Sequence, residues 1–282
     1  MNKITILVDS TSSLRKEDAL KLGVEIVPTT FILDGVEHNP IEAPFTLDEF
    51  YEKLYSSKVG TACINTYTFL EIFKSYLEKG EDVIYISLSS GLSATYSNAV
   101  NAANELNEEF SNKVVVIDPL TGGAGMHFAV NEAIKLVSEG KTIDEIKNAL
   151  DKNGLKVKSY FTIGSLEHLY KGGRLNKFEA AIGNALKAKP IVKASHEGKL
   201  KIHAIHLGKR RTIKEMGDLL LKDVNTDYPI QISYTNNEDE ANFLKAKLLE
   251  ENDKLNIIFT RIDYTLACHC GPETIALFYV KK

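Results

Sequence analysis

The pattern of apolar and polar positions in the first half of the chain alternates between strands and helices. Ile4 to Asp9 and Val83 to Ser87 are short apolar runs, typical of buried parallel strands. Apolar residues at helical spacing follow each of them, in Leu14 to Leu22, which stops at Gly23, and in Leu92 to Leu106. Strands and helices that alternate in this way predict an open, mainly parallel sheet with helices on both faces.

The second half carries a different signal, an antiparallel hairpin. Pro190 to Ala194 and Leu200 to His206 flank the turn sequence Glu197-Gly198. Val157 to Ile163 predicts a strand before this hairpin, and a short helix is expected to end near Lys187. We therefore expect an α/β fold of two domains. Residues 1–157 form the N-terminal domain, with a mainly parallel sheet flanked by helices, and residues 158–282 form the C-terminal domain, with a mixed sheet.

Composition and charge argue against several classes of function. With 282 residues the chain is long for a single core, which agrees with two domains. The formal net charge of -4 argues against nucleic acid as a partner. The sequence contains no apolar run long enough for stable membrane insertion, and Met1-Asn2-Lys3 leads directly into a strand instead of a signal peptide. We expect a cytoplasmic protein.

The cysteines point to reduced thiols. Cys63, Cys268 and Cys270 are three in number, so at least one stays unpaired, as is usual in the cytoplasm. Cys268-His269-Cys270 could suggest a metal site, but adjacent ligands on an extended segment point to opposite faces, and no second ligand pair follows. We expect no metal.

Small polar residues accumulate where the predicted strands end, which is where open α/β sheets bind ligands. The segments that show this are Asp9 to Ser13, Thr61 with Asn65 and Thr66, Ser89 to Thr95, and Thr121 to Gly125. The junction from Leu88 to Tyr96 is the most informative, because a helix start with free N–H groups and the hydroxyls of Ser93 and Thr95 would hold a carboxylate or phosphate. The alternative is that Ser90 or Ser93 simply caps the helix.

Two other interpretations compete with an anion site, namely a serine hydrolase and a nucleotide-binding loop. Ser93 and His269, with Asp9 or Asp118, could form a serine hydrolase triad, but the strained Gly-x-Ser-x-Gly turn is missing. His269 is expected on a turn, where it is either a ligand at the edge of a site or a hydrogen-bonded buried histidine. The run from Gly122 to Gly125 could bind a nucleotide, although its spacing fits no dinucleotide or P-loop motif, and close backbone packing is the other explanation.

Two basic clusters are candidates for partner docking. The first includes Arg174, and the second consists of Lys209, Arg210 and Arg211. Either cluster can be a solvated face or can attract an acidic partner protein.

Taken together, these motifs resemble the DegV family, and the match runs from end to end. The segments that carry it are Val8 to Ser12, Pro28 with its strand, Thr61, Gly91 to Tyr96, Leu166 to Leu169, Gly172 to Leu175, Lys189 to Ile191, and His269 to Pro272. The resemblance implies a fatty-acid-binding protein with two α/β domains and the lipid between them. It implies no cofactor and no catalytic residue, because a separate ATP-dependent kinase subunit, related to dihydroxyacetone kinases, phosphorylates the bound acid to an acyl phosphate for phospholipid metabolism.

Carried over residue by residue, the resemblance makes Thr61, Ser93 and His269 the groups that bind the carboxylate, together with the main-chain N–H of Ala94. Cys63, Thr95 and Cys270 are further candidates for the mouth of the pocket. The remaining alternative is a serine-type lipid hydrolase that uses Ser93 and His269.

The chain departs from the family pattern at several positions. Ala62, Cys63 and Ile64 replace serine, glutamine and proline, Ala94 replaces a glycine, and Glu273 replaces the glycine after Gly271-Pro272. The expectation for Glu273 is either a changed acyl preference or a carboxylate that points outward.

Overall fold

The computed structural model describes residues 2–152, 155–175 and 188–282. Its first part contains the strands β1 (Ile4–Asp9), β2 (Val24–Val27), β3 (Thr30–Leu33), β4 (Val36–His38), β5 (Val59–Ala62), β6 (Asp82–Ile86) and β7 (Val114–Ile117). The helices there are α1 (Lys16–Leu22), α2 (Leu47–Lys53), α3 (Thr66–Leu77), α4 (Thr95–Glu109), α5 (His127–Ser138) and α6 (Ile143–Lys152). Short 3-10 helices follow β1 (Ser10–Ser12) and precede α5 (Gly123–Met126).

The second part contains the strands β8 (Val157–Thr162), β9 (Ala188–Ala194), β10 (Leu200–Leu207), β11 (Ile230–Tyr234), β12 (Ile257–Arg261) and β13 (Ile275–Val280). Its helices are α7 (Glu167–Lys171), α8 (Lys209–Asp223), α9 (Glu238–Glu251) and α10 (Tyr264–Cys270). The helix that was expected to end near Lys187 lies outside the described residues.

The predicted parallel sheet is confirmed, in the order β2-β1-β6-β7 with every pair parallel. The strands β1, β6 and β7 are buried on both faces, which explains why they appear in the sequence as continuous apolar runs. Ile6 and Ile84 face α5 and α6, whereas Leu7 and Tyr85 face the opposite way and pack with Phe69 of α3. Helices packed on both faces hold the sheet, so that the carboxyl ends of β1, β6 and β7 lie along one of its edges.

The predicted mixed sheet is also confirmed, in the order β10-β9-β8-β13-β11-β12. The hairpin of β9 and β10 is antiparallel, and β11 with β12 is a parallel pair. One face of the sheet packs on α8 and α9, with Ile232, Leu244 and Leu277 in that core. The other face is turned toward the N-terminal half of the chain, where it forms one wall of the cavity described below.

A small antiparallel sheet, β4-β3-β5, was not predicted. Phe31 of this sheet and Phe50 of α2 share a core cluster with Ile163 and Leu166 from the second half of the chain. The sheet therefore ties the two halves together. The division at residues 157 and 158 stays a prediction.

Element ends were predicted less well than the elements themselves. Helix α4 begins at Thr95 instead of Leu92, because residues 90–94 form turns first. His269 was expected on a turn and Cys268 to Cys270 on an extended segment, and both expectations are wrong, since these residues form the last turn of α10. None of the helices in the described ranges combines the length and apolar composition that a bilayer crossing needs.

Candidate functional site

One cavity collects most of the residues that the sequence singled out. It has a volume of about 1070 Å³ including its open mouth, and its lining is predominantly apolar. The predicted residues on its wall are Thr61, Cys63, Ser93, Thr95, Arg174, His269 and Cys270. Lys209, Arg210 and Arg211 do not line it, nor does Glu273. Apolar side chains such as Leu88, Phe161 and Phe278 supply much of the remaining wall.

Thr61 and His269, which are 208 residues apart in the sequence, are hydrogen-bonded on the cavity wall. Thr61 lies on β5, where its backbone pairs with Phe31, and His269 lies in the last turn of α10. Thr61 Oγ1 is 2.8 Å from His269 Nε2. The other ring nitrogen, Nδ1, is buried and has no hydrogen-bond partner among the described residues. Because a buried N–H without a partner is rarer than an unpartnered acceptor, the proton is assigned to Nε2, and the Thr61 hydroxyl is then free to donate to a ligand.

Burial keeps His269 uncharged. It lowers the pKa of the imidazole to about 4, and the positive charges of Arg174 and His168 act in the same direction. At neutral pH the ring is therefore a neutral hydrogen-bonding group. A carboxylate bound beside it would oppose this shift.

The position of the His269 ring depends on a glycine. A Cβ at Gly172 would lie 2.3 Å from His269 Nδ1, a distance that no side chain tolerates. Gly172 ends α7 with φ of -74°, so its role is space and not an unusual backbone angle. Gly172 belongs to the family motif Gly172 to Leu175, but its close approach to His269 could not be seen in the sequence.

Helix α10, which carries His269, is held by a buried aspartate. Asp263 accepts hydrogen bonds from the backbone N–H groups of Thr265 (2.8 Å) and Leu266 (3.1 Å). Ser13 Oγ donates to the Asp263 carboxylate at 2.9 Å and accepts from the Asp263 N–H at 3.1 Å. Burial raises the pKa of Asp263 to about 7. The polar end of β1 thus positions α10, a role that the sequence did not reveal.

Hydroxyl groups continue this connection between the halves. Thr29 Oγ1 lies 2.7 Å from Ser10 Oγ and 2.7 Å from Thr265 Oγ1. This chain of three hydroxyls joins the first loop to α10. An Asp before a hydroxyl-containing helix start is an N-cap signal, which could have identified Asp263.

The loop that contains Ser93 is fixed by the two carboxylates that were considered as members of a triad. Asp9 accepts from the Leu88 N–H at 2.7 Å and from the Tyr85 hydroxyl at 3.1 Å. Asp118 accepts from the Ser90 N–H at 3.3 Å. Both acids therefore hold the loop after β6, and within the described residues neither is hydrogen-bonded to His269.

The N-cap of α4 is Ala94, which makes no side-chain cap bond, and Ser93 is bonded to the residue that follows it. The Ser93 hydroxyl accepts from the Thr95 N–H at 3.1 Å and donates to Thr95 Oγ1 at 2.9 Å. It also lines the cavity. The N–H of Ala94 makes no hydrogen bond within the described residues, but Ala94 is exposed and is not one of the residues that line the cavity. No hydrogen bond joins Ser93 to His269 in that part of the chain, and the geometry gives no support to a serine hydrolase.

The glycine run after β7 serves close packing. A Cβ at Gly122 would lie 2.6 Å from Leu88, and one at Gly125 would lie 2.5 Å from Thr121 Oγ1 and 2.8 Å from Phe278. Packing is the interpretation that the structure favours over nucleotide binding.

Burial keeps the two cysteines of α10, Cys268 and Cys270, from being activated. Cys270 is buried, which raises the pKa of its thiol to about 12, and burial also raises the pKa of Cys268. Cys63 is exposed and lines the cavity. Among the described residues, no group of three or more His, Cys, Asp or Glu is arranged to hold a metal ion.

The basic residues fall into two kinds. Arg174 Nε donates to Leu92 O at 2.9 Å, and the side chain lines the cavity. Lys209 pairs with Glu240 at 2.8 Å and with Glu273 at 3.4 Å, which turns the Glu273 carboxylate away from the cavity. Arg210 and Arg211 are exposed.

Comparison with known proteins shows the family of this chain. Residues 3–282 match the sequence model of the family described as "Uncharacterised protein, DegV family". A DegV domain-containing protein of Clostridium perfringens is 29% identical over 285 residues, which cover 99% of this chain and 98% of that protein.

Two solved structures have the same fold. A DegV lipid-binding protein of Thermotoga maritima is 25% identical with a TM-score of 0.84, covering 99% of this chain and 100% of that one. The fatty acid kinase (Fak) B3 protein of Streptococcus pneumoniae, loaded with linoleic acid, is 21% identical with a TM-score of 0.87 over 99% and 100% of the two chains.

Proposed function

Because this chain belongs to the DegV family, we propose that it binds a long-chain fatty acid in the cavity, with the carboxylate at Thr61, Ser93 and His269 and the N–H of Ala94 assisting. The observation that carries the proposal is the 2.8 Å pair of Thr61 and His269 on the wall of a predominantly apolar cavity. Fatty-acid and lipid binding by the structural neighbours supports it.

The tail supplies the affinity. An alkyl chain of about sixteen carbons gains roughly 11 kcal/mol when it leaves water, at about 0.8 kcal/mol per methylene, before ordering costs. The head group therefore needs orientation more than strong binding.

Neutral donors suit that task. The Thr61 hydroxyl donates to the carboxylate, and the neutral imidazole of His269 orients that hydroxyl through its Nε2–H. Ser93 Oγ donates to the carboxylate in place of its bond to Thr95 Oγ1. None of these groups neutralises the acid. Arg174 contributes positive charge nearby, while its Nε is already engaged with the Leu92 carbonyl. An oxygen of the acid remains nucleophilic.

We infer that the bound acid is presented to a separate kinase subunit related to dihydroxyacetone kinases. There, a carboxylate oxygen would attack the γ-phosphorus of ATP, ADP would leave, and an acyl phosphate for phospholipid metabolism would form. The Fak B3 protein of S. pneumoniae supports this role. This chain supplies no catalytic base in that step, since the carboxylate is already ionised.

Docking of the kinase would use the exposed cations Arg210 and Arg211. Lys209 and Arg174, the other candidates, are engaged with Glu240 and with the Leu92 carbonyl. We therefore assign Lys209 to stabilising the fold and Arg174 to the cavity wall, and neither of them to docking.

Native mass spectrometry of the freshly purified protein tests the proposal. We expect a mass excess equal to one fatty acid. Thr61→Ala, Ser93→Ala and His269→Ala should each weaken oleate binding about tenfold, the effect of one or two lost hydrogen bonds. Ser75→Ala, on the exposed part of α3, is the control. If all three variants bound oleate like the wild type, the head-group assignment would be wrong.

A further inference from the structure

The cavity wall carries many hydroxyl groups beyond the proposed head-group site. These are the side chains of Thr11, Thr29, Thr121, Ser159, Ser233, Thr265 and Thr274. An alkyl chain offers such groups no hydrogen bond, and burying a hydroxyl without a partner is unfavourable. Each of them therefore needs a partner within the protein or within the ligand.

All but one have a partner within the protein. Thr29 pairs with Thr265 at 2.7 Å, and Thr121 pairs with Ser159 at 2.8 Å. Thr274 Oγ1 donates to the Cys270 and Gly271 carbonyls, both at 3.0 Å, and Thr11 Oγ1 donates to Asp9. These pairings satisfy the hydroxyls, so this part of the wall does not need a polar ligand.

Ser233 is the exception. It lies on β11 with 1% of its surface exposed, and its Oγ has no hydrogen-bond partner among the described residues. In the sheet it is paired with Ala276, which is paired in turn with Phe161. Paired residues share a face, and Ala276 and Phe161 both line the cavity, as Ser233 does.

The polar neighbours of Ser233 on the sheet are already engaged. Thr260, directly across on β12, donates to Gln231 Oε1 at 3.3 Å. Thr235, two residues along the chain, accepts from the Thr274 N–H at 3.0 Å. The Ser233 hydroxyl thus remains available to a molecule in the cavity.

We propose that this cavity accommodates an acyl chain that bears a hydroxyl group, and that the hydroxyl pairs with Ser233. The inference rests on the proposed function, because it concerns the same cavity. A hydroxyl on the chain can both donate and accept, and it would lose its water partners on entering the apolar cavity. A hydrogen bond to Ser233 replaces one of the lost bonds to water, which corresponds to an affinity about fivefold higher than without that bond.

Competition binding to the delipidated full-length protein tests the inference. The probes are stearic acid and a series of monohydroxystearic acids that differ in the position of the hydroxyl. We expect one positional isomer to bind about fivefold more tightly than its neighbours in the series. In Ser233→Ala this isomer should lose its advantage, while the affinity for stearic acid stays within about twofold of the wild type.

Ser159→Ala is the matched control, because Ser159 lines the same cavity but its hydroxyl is paired with Thr121. This variant should keep the positional preference. Ser233→Ala removes an unpartnered group, so we expect it to fold with an unchanged or higher melting temperature.

The inference is overturned if no isomer is preferred, or if Ser233→Ala retains the preference. Failure of stearic acid and of every isomer to bind would instead contradict the proposed fatty-acid site. The two ideas can therefore fail separately.

Discussion

Substitution of Gly172 by alanine should disturb His269 from outside the ligand cavity. The new Cβ would lie 2.3 Å from Nδ1 of the imidazole, whereas ordinary contact begins at 3.4 Å, so the ring must move by about 1 Å. A ring displaced by that distance cannot keep its 2.8 Å bond to Thr61 Oγ1. The backbone itself accepts alanine, because φ at this position is -74°.

The effect on stability is the sum of three terms. Loss of the hydrogen bond costs about 1 kcal/mol. An off-rotamer histidine costs about 1 kcal/mol more. The alanine restricts the unfolded chain, which returns about 0.7 kcal/mol. We expect Gly172→Ala to lower the free energy of unfolding by about 1 to 1.5 kcal/mol and oleate affinity about tenfold.

A double-mutant cycle with His269→Ala checks the reasoning by urea unfolding and by oleate binding. Without the imidazole, Gly172→Ala should be neutral or slightly stabilising, which gives a coupling energy of about 1 to 2 kcal/mol. Gly173→Ala is the control, since its φ of 73° strains an alanine but nothing lies within 4 Å of the new Cβ. An equal loss of stability from Gly172→Ala in both backgrounds would refute the contact as the cause.

Three further predictions concern pH, the contact between the halves, and docking. The pKa of Asp263 is about 7 in the folded protein and near 3.8 when unfolded, so its folded state binds the extra proton between these values. The free energy of unfolding of the wild type should then fall by about 3 kcal/mol relative to Asp263→Asn from pH 4 to pH 7, and urea midpoints that stay parallel between the two proteins would contradict this. Gly198→Ala places a Cβ 1.9 Å from Ser89 Oγ. It should therefore break the 3.1 Å hydrogen bond that Ser89 Oγ donates to the Gly198 carbonyl, and fatty-acid release measured by stopped flow should become faster. Reversing the charges of Arg210 and Arg211 should slow phosphoryl transfer by the partner kinase most strongly at low salt, with oleate binding intact; equal rates at all salt concentrations would exclude them from docking.

The secondary structure was largely readable from the sequence because local forces decide it. Apolar runs marked β1 and β6, and the Glu197-Gly198 turn marked the β9–β10 hairpin. His269 was predicted wrongly because local signals are weak in the helix that carries it. Helix α10 is only seven residues long, so it shows no repeating pattern, and its start depends on a buried carboxylate that binds Ser13 across the molecule.

The residues of the candidate site were predicted from family motifs, and the fold brings Thr61, Ser93 and His269 to one cavity. Their individual surroundings were not predictable. Arg174 appeared to be a surface cation, yet its guanidinium bonds to Leu92 O and lines the cavity. The long-range contacts that decide such roles leave no periodic trace in the sequence.

By itself, the sequence determined the α/β class, the parallel and mixed sheets and the candidate head-group residues. Only the tertiary structure decided which polar groups found partners. Thr121 and Ser159 satisfy each other, whereas Ser233 on the same cavity wall remains unpartnered among the described residues. The physical reason is that hydrophobic periodicity reports which face of an element is buried, while hydrogen bonding depends on distances of about 3 Å between residues far apart in the chain.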